Sequence, residues 1–353
     1  MKNNWLMRDR ISNRHSFVDY QLTLPMELCW RSTLSNTVFD QVVGIDSELY
    51  VATLCKLHSL QLTSGELIWE TLTPKYRNDT SCTDGANKST PVIHEGRLYF
   101  ADFGGAIVCL DRFSGKLIWE NEQYVASDER LCIYDNRLFL KTNQRQTDGS
   151  FKDGYVCLTL DGEFVWYTPT ARVFTIQPAI ENNCLIFGDR DGFVYGVNVK
   201  NGDLLWRTDI KPHVKIEHIG RRRQITPSGA VMVVGTTAIL RSMNQFVGID
   251  IATGALKWVY KPDGIAKCEA CDESNLYYVT SNSMFCCLDI ETGQLLWQKD
   301  NTQHNLYATN AKGFSGLVVG NYYFATFDNS KLVAFDRSNG EVVWEYTTDN
   351  PCY

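Results

Sequence analysis

Two short cysteine motifs are the part of this sequence whose residue types and spacing could do chemistry. Cys268 and Cys271 form a Cys-x-x-Cys motif, and Cys286 and Cys287 are adjacent. A structural zinc site needs a second pair of ligands at suitable spacing, and adjacent side chains in a strand point to opposite faces. We therefore predict no metal site and no catalytic residue here. A zinc or redox role for either pair stays open as the lesser alternative.

The other residues that could do chemistry lack the spacing of a catalytic motif. The six histidines show neither His-x-x-x-His nor His-Glu-x-x-His, and there is no Gly-x-Ser-x-Gly nucleophile motif. The run Asp189-Arg190-Asp191-Gly192 begins like a calcium loop but lacks the remaining ligands, and it fits a hairpin between two strands. The sequence therefore favours a binding protein over an enzyme.

Composition and charge narrow the class of partner and the location. The chain has 353 residues, of which 44% are hydrophobic, so it can bury a core. Its formal net charge is −7, which argues against nucleic acid as a ligand because phosphate binding needs a basic face. No run approaches the ~18 apolar residues of a membrane span, and no secretory signal follows the N-terminus. We therefore predict a cytoplasmic protein whose cysteines are mostly reduced, buried thiols.

A repeated motif organises the chain. A tryptophan follows a glycine by four residues in seven places, and the intervals between these tryptophans are 50, 47, 40, 52, 39 and 47 residues. Each interval holds alternating apolar runs separated by turns, which predicts four short strands per repeat. The structural repeat residues are Trp69, Trp119, Trp166, Trp206, Trp258, Trp297 and Trp344, and Trp30 precedes them as an eighth copy of the last strand.

The turn before each tryptophan has its own residue preferences. The glycine permits a positive φ without steric cost. An aspartate stands four residues earlier in four repeats, where its side chain can accept hydrogen bonds from turn amides. These aspartates are Asp111, Asp250, Asp289 and Asp336. We predict a structural role for them, not a catalytic one.

Isolated four-stranded sheets cannot bury both faces, so they must pack against one another, with tryptophan filling the gap between neighbours. Radial packing of this kind gives an all-β fold, a single β-propeller. We predict seven blades, with eight as the alternative, and a closing strand around Leu28-Cys29-Trp30-Arg31. Residues 1–16 are predicted to form an N-terminal tail and residues 17–353 one propeller domain. A closed ring has few exposed sheet edges, which makes a monomer reasonable.

The repeats resemble a known family. Residues 248–258 and 287–297 look like the tryptophan-docking motif of PQQ-like (quinoprotein-type) β-propellers, Ala-x-Asp-x-x-Thr-Gly-x-x-x-Trp. The resemblance implies the propeller fold but not one function, since the family includes both enzymes and scaffolds. Its dehydrogenases bind pyrroloquinoline quinone (PQQ) with calcium, some with adjacent cysteines at the cofactor. Cys286 and Cys287 lie within a strand instead of that loop position, so we expect no cofactor, with PQQ and calcium as the alternative.

Function in propellers lies in loops that depart from the repeat. Two insertions between repeats carry basic residues and should open on the face of the channel mouth. We predict that this face binds an anionic or acidic partner, with arginine making bidentate contacts; a solvated loop with no partner fits the sequence equally well. The partner-binding candidates are Lys75, Tyr76, Arg77 and Lys88 in one insertion and His213, Lys215, His218, Arg221, Arg222 and Arg223 in the other.

The first strand of three repeats begins near a proline, which is compatible with a strand start. If that strand is innermost, the residue before the proline rings the channel mouth. Thr90, Gln177 and Thr226 are therefore candidates for contact with a small molecule in the channel.

Together these observations predict a non-catalytic cytoplasmic binding propeller that holds a protein partner on its channel-mouth face, in a toxin-neutralising, inhibitory or assembly-scaffold role. The alternative is a quinone- or metal-dependent oxidoreductase, or a carbohydrate-active enzyme, that uses the central channel.

Overall fold

The structure is a computed structural model in which almost every regular element is a β-strand. It describes residues 7, 13–14, 16–34, 42–53, 55–73, 90–102, 105–124, 126, 131–145, 151–170, 177–189, 191–214, 218–219, 222–223, 227–242, 244–304, 306, 316–327 and 330–348. Among these residues a 3-10 helix at Thr302–His304 accompanies the strands, and no described helix is long and apolar enough to cross a membrane.

Contacts between Cα atoms group the chain into two compact units. The first consists of Met1–Ser12, Glu27–Asn183 and Val197–Leu204. The second consists of Asn13–Met26, Cys184–Gly196 and Leu205–Tyr353.

Strands that follow one another along the chain pair into antiparallel sheets of four, numbered here in chain order. The first sheet is β2 (Val43–Ile45), β3 (Glu48–Ala52), β4 (Lys56–Gln61) and β5 (Leu67–Leu72); the second is β6 (Val92–His94), β7 (Arg97–Ala101), β8 (Ile107–Asp111) and β9 (Leu117–Asn121). The third is β10 (Cys132–Tyr134), β11 (Arg137–Arg145), β12 (Phe151–Thr159) and β13 (Phe164–Pro169); the fourth is β14 (Ala179–Glu181), β15 (Cys184–Gly188), β16 (Phe193–Asn198) and β17 (Leu204–Asp209).

The remaining strands complete the same pattern. The fifth sheet is β20 (Pro227–Val234), β21 (Thr237–Ser242), β22 (Gln245–Asp250) and β23 (Leu256–Tyr260); the sixth is β24 (Ala266–Cys271), β25 (Asn275–Thr280), β26 (Met284–Asp289) and β27 (Leu295–Asp300). The seventh is β28 (Leu317–Val319), β29 (Tyr322–Phe327), β30 (Lys331–Asp336) and β31 (Val342–Thr347), and β18 (His218–Ile219) pairs with β19 (Arg222–Arg223) in a small separate hairpin. The prediction of seven repeats, each a four-stranded sheet, is confirmed.

The strand added at the N-terminus differs from the one predicted. Strand β1 (Phe17–Val18) pairs in parallel with β28 of the seventh sheet, whereas Leu28–Arg31 forms no strand. Trp30 nevertheless keeps the tryptophan contact of the repeat, because its Nε1 donates to the Leu62 carbonyl at 2.8 Å. The sequence motif therefore correctly located a docked tryptophan side chain, but the strand predicted around Trp30 does not form.

Residues 13 and 14 belong to the second unit. The Val233 amide donates to the Asn13 carbonyl at 2.9 Å, and Arg14 is buried. The division into a tail at 1–16 and a single domain at 17–353 stays a prediction.

Each repeat tryptophan except Trp344 lies against the glycine of the following repeat. That glycine has a positive φ, 66° at Gly115 and 74° at Gly254, so it adopts a backbone conformation that L side chains rarely take. A Cβ added at either position would lie 2.6 Å from the preceding indole ring, that of Trp69 or Trp206. The glycine therefore supplies both the turn and the flat surface on which the indole rests.

The indole nitrogen completes the contact. Trp69 Nε1 donates to the Arg112 carbonyl at 2.9 Å, and Trp258 Nε1 donates to the Ile290 carbonyl at 2.8 Å. In each case the acceptor follows the aspartate position of the next repeat. The same bond is made by Trp30, Trp119, Trp166 and Trp206.

A small residue faces each tryptophan across its own sheet. Cys109 pairs with Trp119, Cys157 with Trp166 and Cys287 with Trp297. Ser59, Gly248 and Ala334 hold the same position in other sheets. The register shifts immediately after this residue in all six of these strand pairs, as at a β-bulge. These cysteines therefore serve as small apolar residues beneath the indole.

The turn aspartates have the predicted structural role. Asp111 accepts hydrogen bonds from the Ser114 amide and hydroxyl at 2.8 and 2.6 Å, and Asp250 accepts from those of Thr253 at 2.9 and 2.8 Å. The bonds from the Ser114 and Thr253 side chains hold the pKa of Asp111 and of Asp250 below the usual range. Asp289 and Asp336 accept equivalent bonds.

The two requirements on the repeat glycine can be separated by experiment. Gly254→Ala adds a Cβ that overlaps Trp206, whereas Gly235, with φ of 57°, has no atom within 4 Å of an added Cβ. We expect Gly235→Ala to lower the free energy of unfolding by about 1 kcal/mol through backbone strain alone, and Gly254→Ala to lower it by about 3 kcal/mol because overpacking adds to the strain. Urea denaturation measures both, and equal losses would contradict a docking role for Gly254.

Candidate functional site

The structure describes part of the predicted basic surface. Of the partner-binding candidates, His213 is described with its side chain, and His218, Arg222 and Arg223 are described by their backbone in β18 and β19. The candidates Lys75, Tyr76, Arg77, Lys88, Lys215, Arg221 and Thr226 lie outside the described residues. Residues 207–223, here called the 207–223 insertion, begin within the last strand of the fourth sheet, β17, and run to the end of β19.

The insertion begins with a hydrogen-bonded turn. Ile210 is fully buried, and its amide donates to the Gly192 carbonyl at 3.0 Å. The amides of His213 and Val214 both donate back to the Ile210 carbonyl, at 3.0 and 3.1 Å. Val214 is buried and His213 is exposed. Two apolar residues thus fix the turn while its histidine faces solvent.

Two cations share one aromatic ring at the start of the insertion. The Arg207 guanidinium lies 3.6 Å from the centroid of the Phe193 ring, and Lys211 Nζ lies 3.8 Å from the same centroid. Lys211 also lies 3.5 Å from the Asp209 carboxylate. A cation over an aromatic face is attracted by the negative charge density of the ring. Phe193 therefore contacts two positive charges at the base of the insertion.

A buried carboxylate supports that ring. Asp189 is fully buried and accepts bonds from the amides of Asp191 and Phe193, both at 2.9 Å, and from the Tyr195 hydroxyl at 2.7 Å. Burial, with the bond to Asp189, raises the pKa of Tyr195 to about 12, and Phe187 stacks on the Tyr195 ring at 5.2 Å. Residues 189–192 connect the paired strands β15 and β16, so the predicted hairpin is confirmed. The Asp189 oxygens accept hydrogen bonds from the turn amides and from the Tyr195 hydroxyl.

The far part of the insertion forms the β18–β19 hairpin. Its antiparallel register places His218 opposite Arg223 and Ile219 opposite Arg222. Three of the predicted candidates are therefore brought to one two-stranded element. Sequence reasoning found these residues by charge but missed Phe193 and Tyr195, since nothing in their alternation along β16 signals contact with Arg207.

The two described channel-mouth candidates, Thr90 and Gln177, are buried. Thr90 and Gln177 precede β6 and β14, the first strands of their sheets, and are 3% and 2% exposed. Their assignment to a channel mouth stays a prediction.

The adjacent cysteines face different cores. Cys286 packs with Tyr278 and Trp258, whereas Cys287 packs with Tyr277 and Trp297. Burial raises the pKa of Cys286 to about 11 and that of Cys287 to about 12. Both are free thiols, and the predicted separation to opposite faces of the strand is confirmed.

The Cys-x-x-Cys motif is divided in the same way. Cys268 belongs to the core around Tyr323, and its Sγ lies 3.9 Å from the Thr326 carbonyl. Cys271 lies in the other core, with its Sγ 3.6 Å from the Met232 sulfur. Burial raises the pKa of the Cys271 thiol well above its usual value. The two sulfurs therefore do not form a shared pair of ligands.

Seven four-stranded sheets, six of them docked through a tryptophan onto the glycine turn of the next repeat, define a PQQ-like β-propeller with seven blades. The sequence matches the family model described as "Outer membrane protein assembly factor BamB" over residues 30–156, 145–266 and 190–352. The chain belongs to that family.

Individual relatives are distant. The outer membrane protein assembly factor BamB of Shewanella oneidensis is 22% identical over 306 residues, which cover 78% of this chain and 72% of that protein. The crystal structure of BamB from Moraxella catarrhalis superposes with a TM-score of 0.63 at 15% identity, covering 91% of this chain and 92% of that one.

An enzyme has the same architecture. The quinohemoprotein alcohol dehydrogenase of Comamonas testosteroni gives a TM-score of 0.74 at 11% identity, covering 99% of this chain and 73% of that one. Likeness at such identities shows the fold alone. The match to the family model, not the superposition, therefore carries the assignment.

The predicted cytoplasmic location is wrong. The family and the relatives above are named for assembly of outer membrane proteins, and the outer membrane lies outside the cytoplasm. The prediction rested on the absence of an apolar run near residue 1, which carries no information on location. The cysteines need a related correction, since nine described ones are free but Cys55 is disulfide-bonded, as is usual in oxidising compartments.

Thiol reactivity tests the placement of the cysteines. Cys29 is exposed, whereas Cys286 and Cys287 are buried and have raised pKa values. Because iodoacetamide reacts with the thiolate, we expect Cys29 to be alkylated at pH 8 at least about 100-fold faster than the other two. Peptide mass spectrometry measures the rates. Alkylation of Cys286 as fast as Cys29 in the folded protein would contradict the two-core arrangement.

Proposed function

We propose that this chain is a non-catalytic binding propeller that takes part in outer membrane protein assembly by holding a protein partner on the 207–223 insertion. Family membership supports the assembly role. Of the three roles considered from sequence, assembly scaffold is thus the one retained.

One observation carries the location of the binding surface. The insertion departs from the repeat, yet it starts on an ordered base in which Phe193 is flanked by Arg207 and Lys211. A loop without function has no need of a fixed aromatic ring and two buried aliphatic anchors. A preorganised base lowers the entropy lost when the hairpin binds.

The charge of the insertion indicates the chemistry of the partner. Arg207, Lys211, Arg222 and Arg223 place four cations on a chain whose net charge is −7. Arginine makes planar, bidentate contacts with carboxylates. The partner surface is therefore acidic, and its association is weakened by salt.

Charge reversal tests this surface. Arg222→Glu with Arg223→Glu removes two cations from the hairpin and adds two anions, so we expect at least about tenfold less partner captured. The matched control is Lys116→Glu with Lys200→Glu, which makes the same charge change at two exposed turn lysines of the first unit. The measurement is quantitative mass spectrometry of outer-membrane assembly proteins captured from the membrane fraction of the native host. Equal capture by the two double variants would contradict the proposal.

We propose in addition that the propeller works without PQQ and calcium. The support is the division of Cys286 and Cys287 between two cores, which prevents them from acting together at one cofactor. After incubation with PQQ and calcium followed by desalting, we expect no quinone absorbance to remain with the protein, while a quinoprotein dehydrogenase treated identically retains it. Retention near one quinone per chain would overturn this proposal and leave the hairpin proposal standing.

A further inference from the structure

The tryptophan contact is incomplete at a cleft between the sixth and seventh sheets, which Trp297 lines. Six tryptophans donate Nε1 to a carbonyl of the next repeat. The corresponding carbonyl for Trp297 belongs to Arg337, but among the described residues Trp297 Nε1 donates no hydrogen bond. The indole instead lines a cleft of about 520 Å³, within the range of about 300–1,000 Å³ of ligand sites.

The unpaired donor is held in place. Trp297 packs edge to face on Phe285 with ring centroids 5.2 Å apart. Its ring still rests on the turn glycine, since a Cβ added at Gly340 would lie 2.7 Å from it. The N–H group is therefore oriented before any ligand arrives, which reduces the entropy lost on binding.

The charges around the cleft select the ligand. Asp272 accepts bonds from Arg337 at 2.8 Å and from the Tyr277 hydroxyl at 2.8 Å, and Asp336 is a second carboxylate in the lining. Two carboxylates and one guanidinium leave a charge of −1. An acidic ligand would be repelled, whereas a neutral or basic one would not.

We propose that this cleft binds an extended peptide segment of neutral or basic character, whose main-chain carbonyl accepts the hydrogen bond of Trp297 Nε1. The carbonyl replaces the one that the next repeat supplies at the other six tryptophans, so the donor receives the same chemical group. The inference rests on the proposed role in protein assembly and adds a second contact, to an unfolded or extended segment, apart from the 207–223 insertion.

The test uses the full chain with its tryptophan indoles labelled with nitrogen-15. The probe is a capped pentapeptide of alternating threonine and valine with a central lysine, and the same peptide with a central glutamate is compared with it. We expect the lysine peptide to shift the Trp297 indole signal, assigned by its loss in Trp297→Phe, in a saturable way. The glutamate peptide should bind about threefold more weakly or worse.

Two matched variants then measure affinity for the lysine peptide. Trp297→Phe keeps a ring on Gly340 but removes the donor, so we expect about tenfold weaker binding. Trp69→Phe removes an indole whose donor is already paired with the Arg112 carbonyl, and we expect its affinity to stay within about twofold of the original. Thermal melting checks that both variants are folded.

Two outcomes would overturn the inference. One is an unmoved Trp297 signal at about 10 mM peptide, which would saturate a millimolar site. The other is an equal loss of affinity in the two variants, which would assign the effect to stability. The capture assay on Arg222 and Arg223 does not involve this cleft, so failure here leaves the proposed function standing, and failure there leaves the cleft standing.

Discussion

Each of the first six sheets is positioned by an indole ring that rests on a glycine of the next repeat. The contact needs a residue with no Cβ, a positive φ and a carbonyl within reach of the indole nitrogen, and all three occur in the turn that holds Gly115. It also needs a small residue across the strand from the tryptophan, such as Cys109. One large side chain thereby determines the type of residue at two other positions, the turn glycine and the small residue across the strand.

That constraint gives a structural role to residue types that in other proteins do chemistry. Cys109, Cys157 and Cys287 are small residues opposite a tryptophan, and Asp111 spends its oxygens on its own turn. Changing any of them would disturb the packing of two sheets, so little of the repeat is free to acquire a function. Segments outside the repeat are free of this constraint, and the 207–223 insertion is such a segment, with Phe193 in contact with Arg207 and Lys211 at its base.

The predictable part of this protein is the part that repeats. Seven copies of one motif average out local ambiguity, so the strands, the turn glycines and the role of Asp250 could be read from spacing alone. Strand β1 has only two residues and pairs with a strand about 300 positions away, which no local pattern encodes. The contact between Arg207 and the Phe193 ring joins β17 to β16. The alternation of apolar and polar residues along each strand does not predict this contact. The prediction of a cytoplasmic location was wrong because it was inferred from the absence of an apolar run near residue 1.

The Trp297 site shows that the docking contact has two separable halves. The ring half persists there, because the indole still lies on Gly340 and is packed against Phe285. Phe285 in turn stacks on Tyr323 and packs on Phe335, with centroids 4.6 Å away in both cases, so these two sheets share an aromatic core that does not depend on the indole hydrogen bond. Where ring packing alone joins two sheets, the fold does not need the indole N–H group as a hydrogen-bond donor. A repeat protein can in this way obtain a binding donor from its own scaffold without adding a residue.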